Sequence, residues 1–282
     1  MPAPTLPTTL GNARRGPAAS LDEVGPFLVA DWMRVVFVHY AVRPADLAPL
    51  VPHPLDLVDG RAFVSLVSFS LERLRPGRIV PPRIGRALLG PVSRHAFLNV
   101  RTYVRGPAGP GVHFLAEWIN NPLSLRLGPL VYGLPYRNAD IERADLPAGG
   151  LTQIHVSDPS LGASLGITVP LHDPAGLEPC PEGSLDAFLV ERYTAYTRRR
   201  GVDRHFHIAH RPWDVARVDL VRTATPLLDR VFPWFPRAEL VSAHVGPGVR
   251  DVHIGRPHIC GGMALASEHR PVGAGAVGAP GR

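Results

Sequence analysis

Alternation of apolar and polar positions is the clearest regularity of this chain, and it predicts strands through most of its length. Residues His95–Arg105 and Gly111–Ile119 form the clearest pair, because the segment 106–110 between them has the composition of a hairpin turn. Other alternating or β-prone runs predict further strands. These are Trp32–Val42, Ala62–Leu74, Leu151–Ser157, Ser164–Val169, Arg204–Val221 with a break at Pro212, and a closing hairpin of Glu239–Val245 and Val249–Ile254 around Gly246-Pro-Gly248.

Helical spacing is rarer than alternation. Ser184–Arg198 is predicted to be an amphipathic helix with Ser184 as its N-cap, because Leu185, Phe188, Leu189, Tyr193 and Tyr196 follow helical spacing. Shorter helices are predicted at Pro44–Val51, Leu123–Tyr132 and Thr225–Phe235. Strands therefore dominate, which predicts an α+β, mainly β fold: a curved antiparallel sheet closing into a barrel, with a few flanking helices.

The ends of the chain differ in composition from the middle. Residues 1–27 are rich in Pro, Ala, Thr and Gly and are predicted to be a flexible N-terminal arm, and residues 259–282 a disordered tail. No composition break divides residues 28–258, which predicts a single domain there. Within it, the Pro/Gly/Arg-rich excursion Arg75–Arg94 is predicted to act as a flap over a site.

Polar side chains gather on one face of the central hairpin. Side chains alternate across a strand, so Asn99, Arg101 and Tyr103 share a face opposite the apolar even positions. If the turn pairs Val104 with Val112, then Asn99 faces Glu117, Tyr103 faces His113, and Arg101 lies opposite Leu115. A slip of one residue would move His113 and Glu117 to the other face.

Two interpretations of this polar face remain open. It is either the solvent-exposed side of an antiparallel sheet, where mixed charge is normal, or the interior of a barrel that binds one small ligand. In the second case Arg101 would bind an anionic oxygen, and Glu117 or His113 would move a proton. Alternation alone does not separate the two.

The second polar region is Val131–Asp140, in which Gly133-Leu-Pro135 fixes the backbone before Tyr136 and Arg137. A turn that leads into a tyrosine and an arginine suits a cavity wall as well as a surface. Glu191 and Arg192 are predicted to form either a surface ion pair or one that directs Arg192 toward a barrel mouth. His205 and His207 share a strand face and suit a metal, but no nearby acid completes a ligand set, so no metal site is predicted.

Composition excludes several functions. The chain contains no lysine, so no side chain can form a Schiff base with a carbonyl substrate. Arginines are scattered among acids, and the run Arg198–Arg200 without a nucleic-acid motif is interpreted as a solvated helix end. Two cysteines, no long apolar run and no signal-like start predict a reduced, cytoplasmic protein that does not bind membranes. No phosphate loop or dinucleotide fingerprint is present, and no cofactor is predicted.

Several motifs occur in an order that resembles a known family. They are Trp32 with Phe37-Val-His39, Leu50-Val-Pro52, Asp59-Gly60, Leu98–Val104, Gly133-Leu-Pro-Tyr136, Phe188–Tyr193 and His210-Arg-Pro-Trp213. Together they resemble the bacterial YqjF-like family of unknown function, which is related to the acetoacetate decarboxylase-like superfamily. The resemblance covers roughly residues 30–255 and implies a cone-shaped antiparallel barrel with a site in its interior.

The resemblance also implies where the chemistry differs. In the decarboxylases the segment similar to residues 132–137 carries two lysines, one of which forms an imine, and here Tyr136 and Arg137 occupy those places. Imine chemistry therefore fails at its first step. Relatives tend to carry an acidic residue where Phe97 stands and a basic one near Pro129, and Phe97 would make the interior more apolar.

These observations lead to one main hypothesis and one alternative. The main hypothesis is an enzyme acting on a small carbonyl or enolisable metabolite by lysine-independent acid–base catalysis: cyclisation, dehydration, isomerisation or non-imine decarboxylation. Arg101, Tyr136, Glu117 and His113 would be catalytic, and the substrate would also contact Asn99, Tyr103, Arg137, His39, Phe97 and Arg192. The alternative is a non-catalytic barrel that binds a small ligand. Either protein would have a small molecule as its partner, and a homo-oligomer is possible.

Overall fold

A computed structural model describes residues 25–77, 89–146, 150–171, 176–219 and 221–260. Most of the predicted N-terminal arm, nearly all of the predicted tail and the centre of the predicted flap lie outside these described residues. None of the helices in the described part combines the length and the apolar character needed to cross a bilayer.

Strands make up most of the structure. Their bounds are β1 Leu28–Val42, β2 Ala62–Pro76, β3 His95–Gly106, β4 Gly109–Ile119, β5 Tyr136–Asn138, β6 Asp140–Leu146, β7 Leu151–Asp158, β8 Ala163–Pro170, β9 Thr194–Arg199, β10 Val202–Ala209, β11 Ala216–Val218, β12 Arg222–Ala224, β13 Glu239–Ile254 and β14 His258–Ile259.

The larger sheet closes on itself as a ring of hydrogen-bonded strands. Its order runs β13–β1–β2–β3–β4–β9–β10, and β10 pairs again with β13 through Ile208 and Ala209. Short strands β11, β14 and β5 extend it at the margins. Neighbours are antiparallel except that β4 runs parallel to β5 and β9. The predicted fold class, mainly β with a curved antiparallel sheet, is confirmed.

A smaller sheet of order β12–β8–β7–β6 packs beside the ring and divides the buried side chains into two groups. One group fills the inside of the ring and includes Phe37, Phe69 and Phe97. The other, the intersheet core, lies between the outer face of the ring and the smaller sheet and includes Trp118, Leu98 and Ile154. Burial of apolar surface in both places is the main stabilising contribution to the fold.

The helices are short: α1 Pro44–Leu47, α2 Pro122–Val131, α3 Leu185–Val190 and α4 Pro226–Val231, with 3-10 turns at Ala48–Leu50, Gly90–Val92 and Phe235–Arg237. The side chain of Asn121 caps α2 by accepting hydrogen bonds from the backbone N–H groups of Leu123 and Ser124. Ser184 caps α3 by accepting from Ala187, as predicted. The predicted helix Ser184–Arg198 is nevertheless wrong beyond Val190, because Thr194–Arg199 is strand β9. Its apolar positions fit a strand as well, and pairing with β10 decides the outcome.

The predicted closing hairpin is also wrong. Glu239–Ile254 is one continuous strand, paired with β1 from Ala41 to Leu28. Its glycines serve close packing rather than a turn: a Cβ on Gly248 would lie 2.1 Å from the carbonyl oxygen of Trp32, and Gly248 has a φ of +103°. Only glycine fits this position without displacing the backbone of β1.

The register of the central hairpin differs from the prediction at one point. Asn99 does face Glu117, but an irregularity after Val100 pairs Arg101 with Phe114, Thr102 with His113 and Tyr103 with Val112. A bulge of this kind inserts one residue into one strand, so every position beyond it changes partner. Arg101 therefore does not lie opposite Leu115, and Tyr103 does not face His113.

Candidate active site

The inside of the ring contains a cavity of about 300 Å³, in the range of small-molecule sites. Its wall is formed mainly by apolar and aromatic side chains of strands β1 to β4 and β10. Leu127 and Val131 of α2 line it while remaining 42% and 40% exposed, so they mark its mouth. The polar face of the central hairpin is thus the interior of a closed ring and not the solvent side of the sheet.

Polar groups lie in layers along β3. His95 and Phe97 are nearest α2, Asn99 follows, and Arg101 lies deepest; all four line the cavity. On the two neighbouring strands, β2 and β4, Asn99 pairs with Val67 and Glu117, and Arg101 pairs with Ser65 and Phe114. The alternation of β3 therefore places three chemically different groups at successive depths.

Glu117 and Tyr136 form the most unusual pair in this wall. They are paired residues of the parallel strands β4 and β5, so their side chains enter the cavity side by side. Glu117 is 3% exposed, and its Oε2 has no hydrogen-bond partner among the described residues. Burial raises the pKa of the Glu117 carboxyl well above its ordinary value, and burial followed by the nearby Glu117 raises the pKa of Tyr136 in the same direction. Glu117 therefore keeps its proton to a higher pH than an exposed carboxyl does.

Tyr136 is held in place by two contacts. Its ring packs against Phe97 at a centroid distance of 5.9 Å. On the other side it lies on the backbone of α2, where a Cβ on Gly128 would be 2.2 Å from Cε2 of Tyr136. Gly128 is thus required for the tyrosine to occupy its position.

Arg101 is a buried cation without a carboxylate partner within 4 Å among the described residues. Its Nη2 donates to the carbonyl oxygen of Leu189 at 3.4 Å, and its guanidinium lies 5.6 Å from the centroid of the Phe37 ring. Burial lowers the pKa of Arg101, partly offset by Tyr103. An unpaired buried guanidinium is costly, and an anionic ligand would relieve that cost.

Arg192 is the second cavity arginine, and it differs from Arg101 in being paired. Its Nη1 lies 3.3 Å from Oδ2 of Asp56, while Oδ1 of Asp56 accepts from Arg105 at 2.8 Å. The guanidinium of Arg192 also stacks 4.0 Å from the centroid of Phe188. Burial lowers the pKa of Arg192 to about 10, with Asp56 acting in the opposite direction. The predicted Glu191–Arg192 pair is not formed as an ion pair, since Glu191 accepts from Tyr193 and from the backbone N–H of Trp213.

Two cavity histidines accompany these groups. Burial lowers the pKa of His95 and of His210 to about 4 each, so both imidazoles are neutral at neutral pH. Nδ1 of His210 donates to the carbonyl oxygen of Arg211 at 2.7 Å, which leaves the lone pair on Nε2. His210 packs between Trp213 and Trp32, at centroid distances of 5.0 and 6.1 Å.

Four predicted site residues lie away from the cavity wall. His113 is on the opposite face of β4 because of the bulge, near His53 and Asp203, and burial lowers its pKa to about 4. Arg137 is exposed, because it follows the inward-facing Tyr136 and strand alternation turns it outward. His113 and Arg137 therefore do not line the cavity, in contrast to the prediction.

Tyr103 and His39 are buried beneath the cavity wall. The phenol of Tyr103 donates to the carbonyl oxygen of Leu189 at 2.6 Å, so Ser65 donates to Tyr103 and Nδ1 of His39 donates to Ser65 at 2.6 Å. This chain of hydrogen bonds supports the layer below Arg101. Burial, reinforced by His244, lowers the pKa of His39 well below its ordinary value, so this imidazole is neutral.

His205 and His207 do share one strand face, with ring centroids 5.7 Å apart, outside the ring cavity. Within the described parts of the chain, no three His, Cys, Asp or Glu side chains are arranged to hold a metal ion.

Sequence reasoning missed several residues of the site. His95 has the same parity on β3 as Asn99 and Arg101, so alternation could have included it. Asp56 could not have been found, because the segment that carries it shows no pattern linking it to Arg192. Gly128 could not have been assigned either, since its role depends on the contact with Tyr136.

Sequence comparison connects the chain to one family. The model of the family DUF2071, described as an uncharacterized conserved protein, matches residues 29–250. The uncharacterized protein YqjF of Bacillus subtilis is 30% identical over 187 residues, which cover 64% of this chain and 72% of YqjF. The resemblance to a YqjF-like family is confirmed.

Structural comparison finds acetoacetate decarboxylase-like proteins. An acetoacetate decarboxylase-like enzyme from Sphingomonas wittichii matches with a TM-score of 0.55 and 14% identity, covering 84% of this chain and 94% of that one. Acetoacetate decarboxylase from Legionella pneumophila matches with a TM-score of 0.55 and 11% identity, covering 93% and 92%. The enduracididine biosynthesis enzyme MppR in complex with pyruvate matches with a TM-score of 0.56 and 12% identity, covering 90% and 98%. At these identities the likeness shows the fold alone.

Proposed function

This chain belongs to the uncharacterized family DUF2071, and we propose that its ring cavity binds a small anionic carbonyl compound and converts it by acid–base catalysis without an imine. The observation that carries the proposal is the buried pair Glu117–Tyr136, placed one layer above the unpaired cation Arg101. Enzymes in which groups of perturbed pKa converge in a closed cavity use them for proton transfer.

Arg101 would bind an anionic oxygen of the substrate, either a carboxylate or a developing enolate. In a dry cavity such a charge-assisted hydrogen bond is stronger than in water and is already oriented before the reaction. Arg192 would contribute a second positive charge held by Asp56. Asn99, in the layer between Arg101 and Phe97, would orient a carbonyl oxygen through its amide.

Glu117 would act as a proton donor rather than as the base predicted from the sequence. Burial raises the pKa of its carboxyl and so favours the protonated form, which can protonate a carbonyl oxygen as an enol develops. Tyr136 would hydrogen-bond to the same oxygen, and the neutral imidazole of His210, whose Nε2 lone pair is available in the same cavity, would take the α-proton and return it to carbon. Dehydration, isomerisation, cyclisation and decarboxylation without an imine all pass through such an enol, and the proposal extends to this group of reactions.

The structural neighbours support a small carbonyl substrate. One of them, MppR, is named as a complex with pyruvate, and two others are an acetoacetate decarboxylase and a decarboxylase-like enzyme. Since this chain has no lysine, a shared substrate class would need a different catalytic group.

The test is turnover of a panel of oxo acids by the purified chain and by Arg101→Ala and Tyr136→Phe. We expect both variants to lose activity, because one removes the anion contact and the other removes a proton carrier. Circular dichroism and thermal unfolding establish that the fold is retained, and Arg137→Ala is a matched control, since Arg137 neighbours Tyr136 but points outward. Full activity of both cavity variants would refute the catalytic roles.

A second function, binding without catalysis, is favoured by the largely apolar wall of the cavity. It predicts saturable binding of an anion that depends on Arg101, with no product detected by mass spectrometry. Tyr136→Phe would then leave affinity nearly unchanged.

A further inference from the structure

The wall of the cavity contains a buried cation, Arg101, that has no carboxylate beside it among the described residues. Arg192 is paired with Asp56, whereas Arg101 is influenced only by the more distant charge of Glu191, and burial favours the uncharged form of Glu117. Its Nε has no hydrogen-bond partner among the described residues. A ligand of one negative charge would balance this site, whereas a second negative charge would be buried without a partner.

The wall between Arg101 and the mouth is mainly apolar, and its polar side chains are Asn99, Glu117, Tyr136 and His95. Phe97 stacks on Phe69 with centroids 4.9 Å apart, and Trp32 packs on Phe69 at 5.3 Å. Phe97 to Arg101 is four residues of extended strand, which is roughly 13 Å. The remaining wall over this depth is formed mainly by Phe37, Val67, Leu71, Phe114, Leu134, Phe206 and Ile208. A ligand that is hydrophilic along this whole length would lose more hydration than these few polar side chains can replace.

The mouth is apolar as well. Leu127 and Val131 of α2 line the cavity and are also exposed, and Leu89 and Leu74 line it from the other side. An apolar entrance favours a ligand whose outer end is apolar, because contact with it removes apolar surface from water. The cation is therefore at the deep end and the apolar surface extends to the entrance.

We propose that the cavity binds a monocarboxylic acid with an extended apolar body, its carboxylate at Arg101 and its apolar end beside Leu127 and Val131. This inference rests on the proposed function in taking the ring cavity as the ligand site, and it adds the charge, polarity and direction of the ligand. A short, strongly polar oxo acid would occupy only the deep end.

The first experiment measures the affinity of butanoic, hexanoic, octanoic and decanoic acids by titration calorimetry, with tryptophan fluorescence as a second readout, since Trp32 and Trp213 line the cavity. We expect each added CH₂ to tighten binding by up to roughly fourfold, until the chain reaches the mouth. Octanamide, which has no charge, is expected to bind at least tenfold more weakly than octanoic acid. Equal affinity of butanoic and decanoic acids, or of octanoic acid and octanamide, would overturn the inference.

The second experiment tests the direction of binding with variants. Arg101→Gln should weaken all four acids alike, whereas Arg126→Gln, an exposed arginine of α2, should change none of them. Leu127→Asp should weaken decanoic acid by tenfold or more and butanoic acid by less than twofold. Leu130→Asp is the matched control, because Leu130 is on the same helix, is 66% exposed and does not line the cavity. An equal loss for long and short acids in Leu127→Asp would refute the proposed direction.

Failure of this inference is distinguishable from failure of the proposed function. Tight binding of octanoic acid with no turnover of any oxo acid would support the ligand class and remove the catalytic role. Turnover of short oxo acids, with no gain in affinity from added CH₂ groups, would support catalysis and refute the extended apolar ligand.

Discussion

Two neighbouring residues of β4 show that buried carboxylates on the two faces of the ring differ in their hydrogen bonding. Trp118 points into the intersheet core and donates its indole N–H to Asp158 at 3.0 Å. Asp158 also accepts from the backbone and hydroxyl of Ser160 and from the backbone of Leu161, so its carboxylate is fully hydrogen-bonded and its pKa is lowered by these bonds against the effect of burial. Glu117 points into the cavity, where Oε2 has no partner among the described residues and burial raises the pKa.

This difference shows that a buried carboxylate stabilises the fold only where the fold also supplies hydrogen-bond donors to it. In the intersheet core a buried acid is stabilised by donors that the fold supplies, and it contributes to stability. In the cavity the donors are missing, so Glu117 is retained at a cost to stability. Residues that break the rules of polar satisfaction are expected at functional sites.

The largest expected effect is a difference in the free energy of unfolding between variants of Asp158 and Glu117. Asp158→Ala should lower the free energy of unfolding by about 3 kcal/mol, because it leaves the Trp118 indole and backbone N–H groups unpaired. At about pH 4, where Glu117 keeps its proton in the folded chain, Glu117→Gln should change it by less than about 1 kcal/mol, since Glu117 has few bonds to lose. Urea unfolding measures both values. A larger loss for Glu117→Gln than for Asp158→Ala would show that the cavity acid is structural.

A smaller change in stability is expected when a glycine on either side of the ring wall is replaced by alanine. Gly128→Ala places a Cβ 2.2 Å from Cε2 of Tyr136, so the rigid ring must move, and we expect a loss of about 2 kcal/mol together with weaker ligand binding. Gly166→Ala in β8 is the matched control: its Cβ would lie 3.7 Å from Ala224, an ordinary contact, and stability should hold or rise slightly. Thermal unfolding and ligand titration report the two effects, and equal behaviour of both variants would contradict the tight contact.

The smallest effect from one measurement to the next is a difference in pH dependence, which is spread over several pH units. Glu117 has a folded-state pKa raised above 4.5, so its contribution to stability is present below that value and is lost as pH rises toward the folded pKa, by at most about 1.4 kcal/mol per pH unit. Asp158 has a pKa lowered below 3.8, so its contribution is lost only as pH falls below that value. Unfolding measured from pH 3 to pH 8 should show that Glu117→Gln gains stability over the natural chain as pH rises. A parallel pH profile would contradict an uncharged Glu117.

Much of the cavity wall was predictable from β3 alone, because strict alternation places Asn99 and Arg101 on one face. The Gly-Leu-Pro segment before Tyr136 suited a cavity wall as well as a surface, and the structure has one residue of each kind: Tyr136 lines the cavity and Arg137 is exposed. The bulge after Val100 was not predictable, since the sequence of β4 fits either register, and it removes His113 from the site. Whether Thr194–Arg199 forms a helix or a strand is decided by its pairing with β10, and a local sequence pattern does not reveal that pairing.

The pairing of β1 with β13 has a consequence for the time at which the cavity forms. Leu28, near the start of the ring, pairs with Ile254 at its end, whereas β1 to β4 are joined in sequence order. Contacts between such distant segments form slowly, because the intervening chain must first be ordered. During synthesis on the ribosome, the apolar inner face of β1–β4 is therefore expected to remain uncovered until β13 has emerged, and chaperones would meet the protein at this stage.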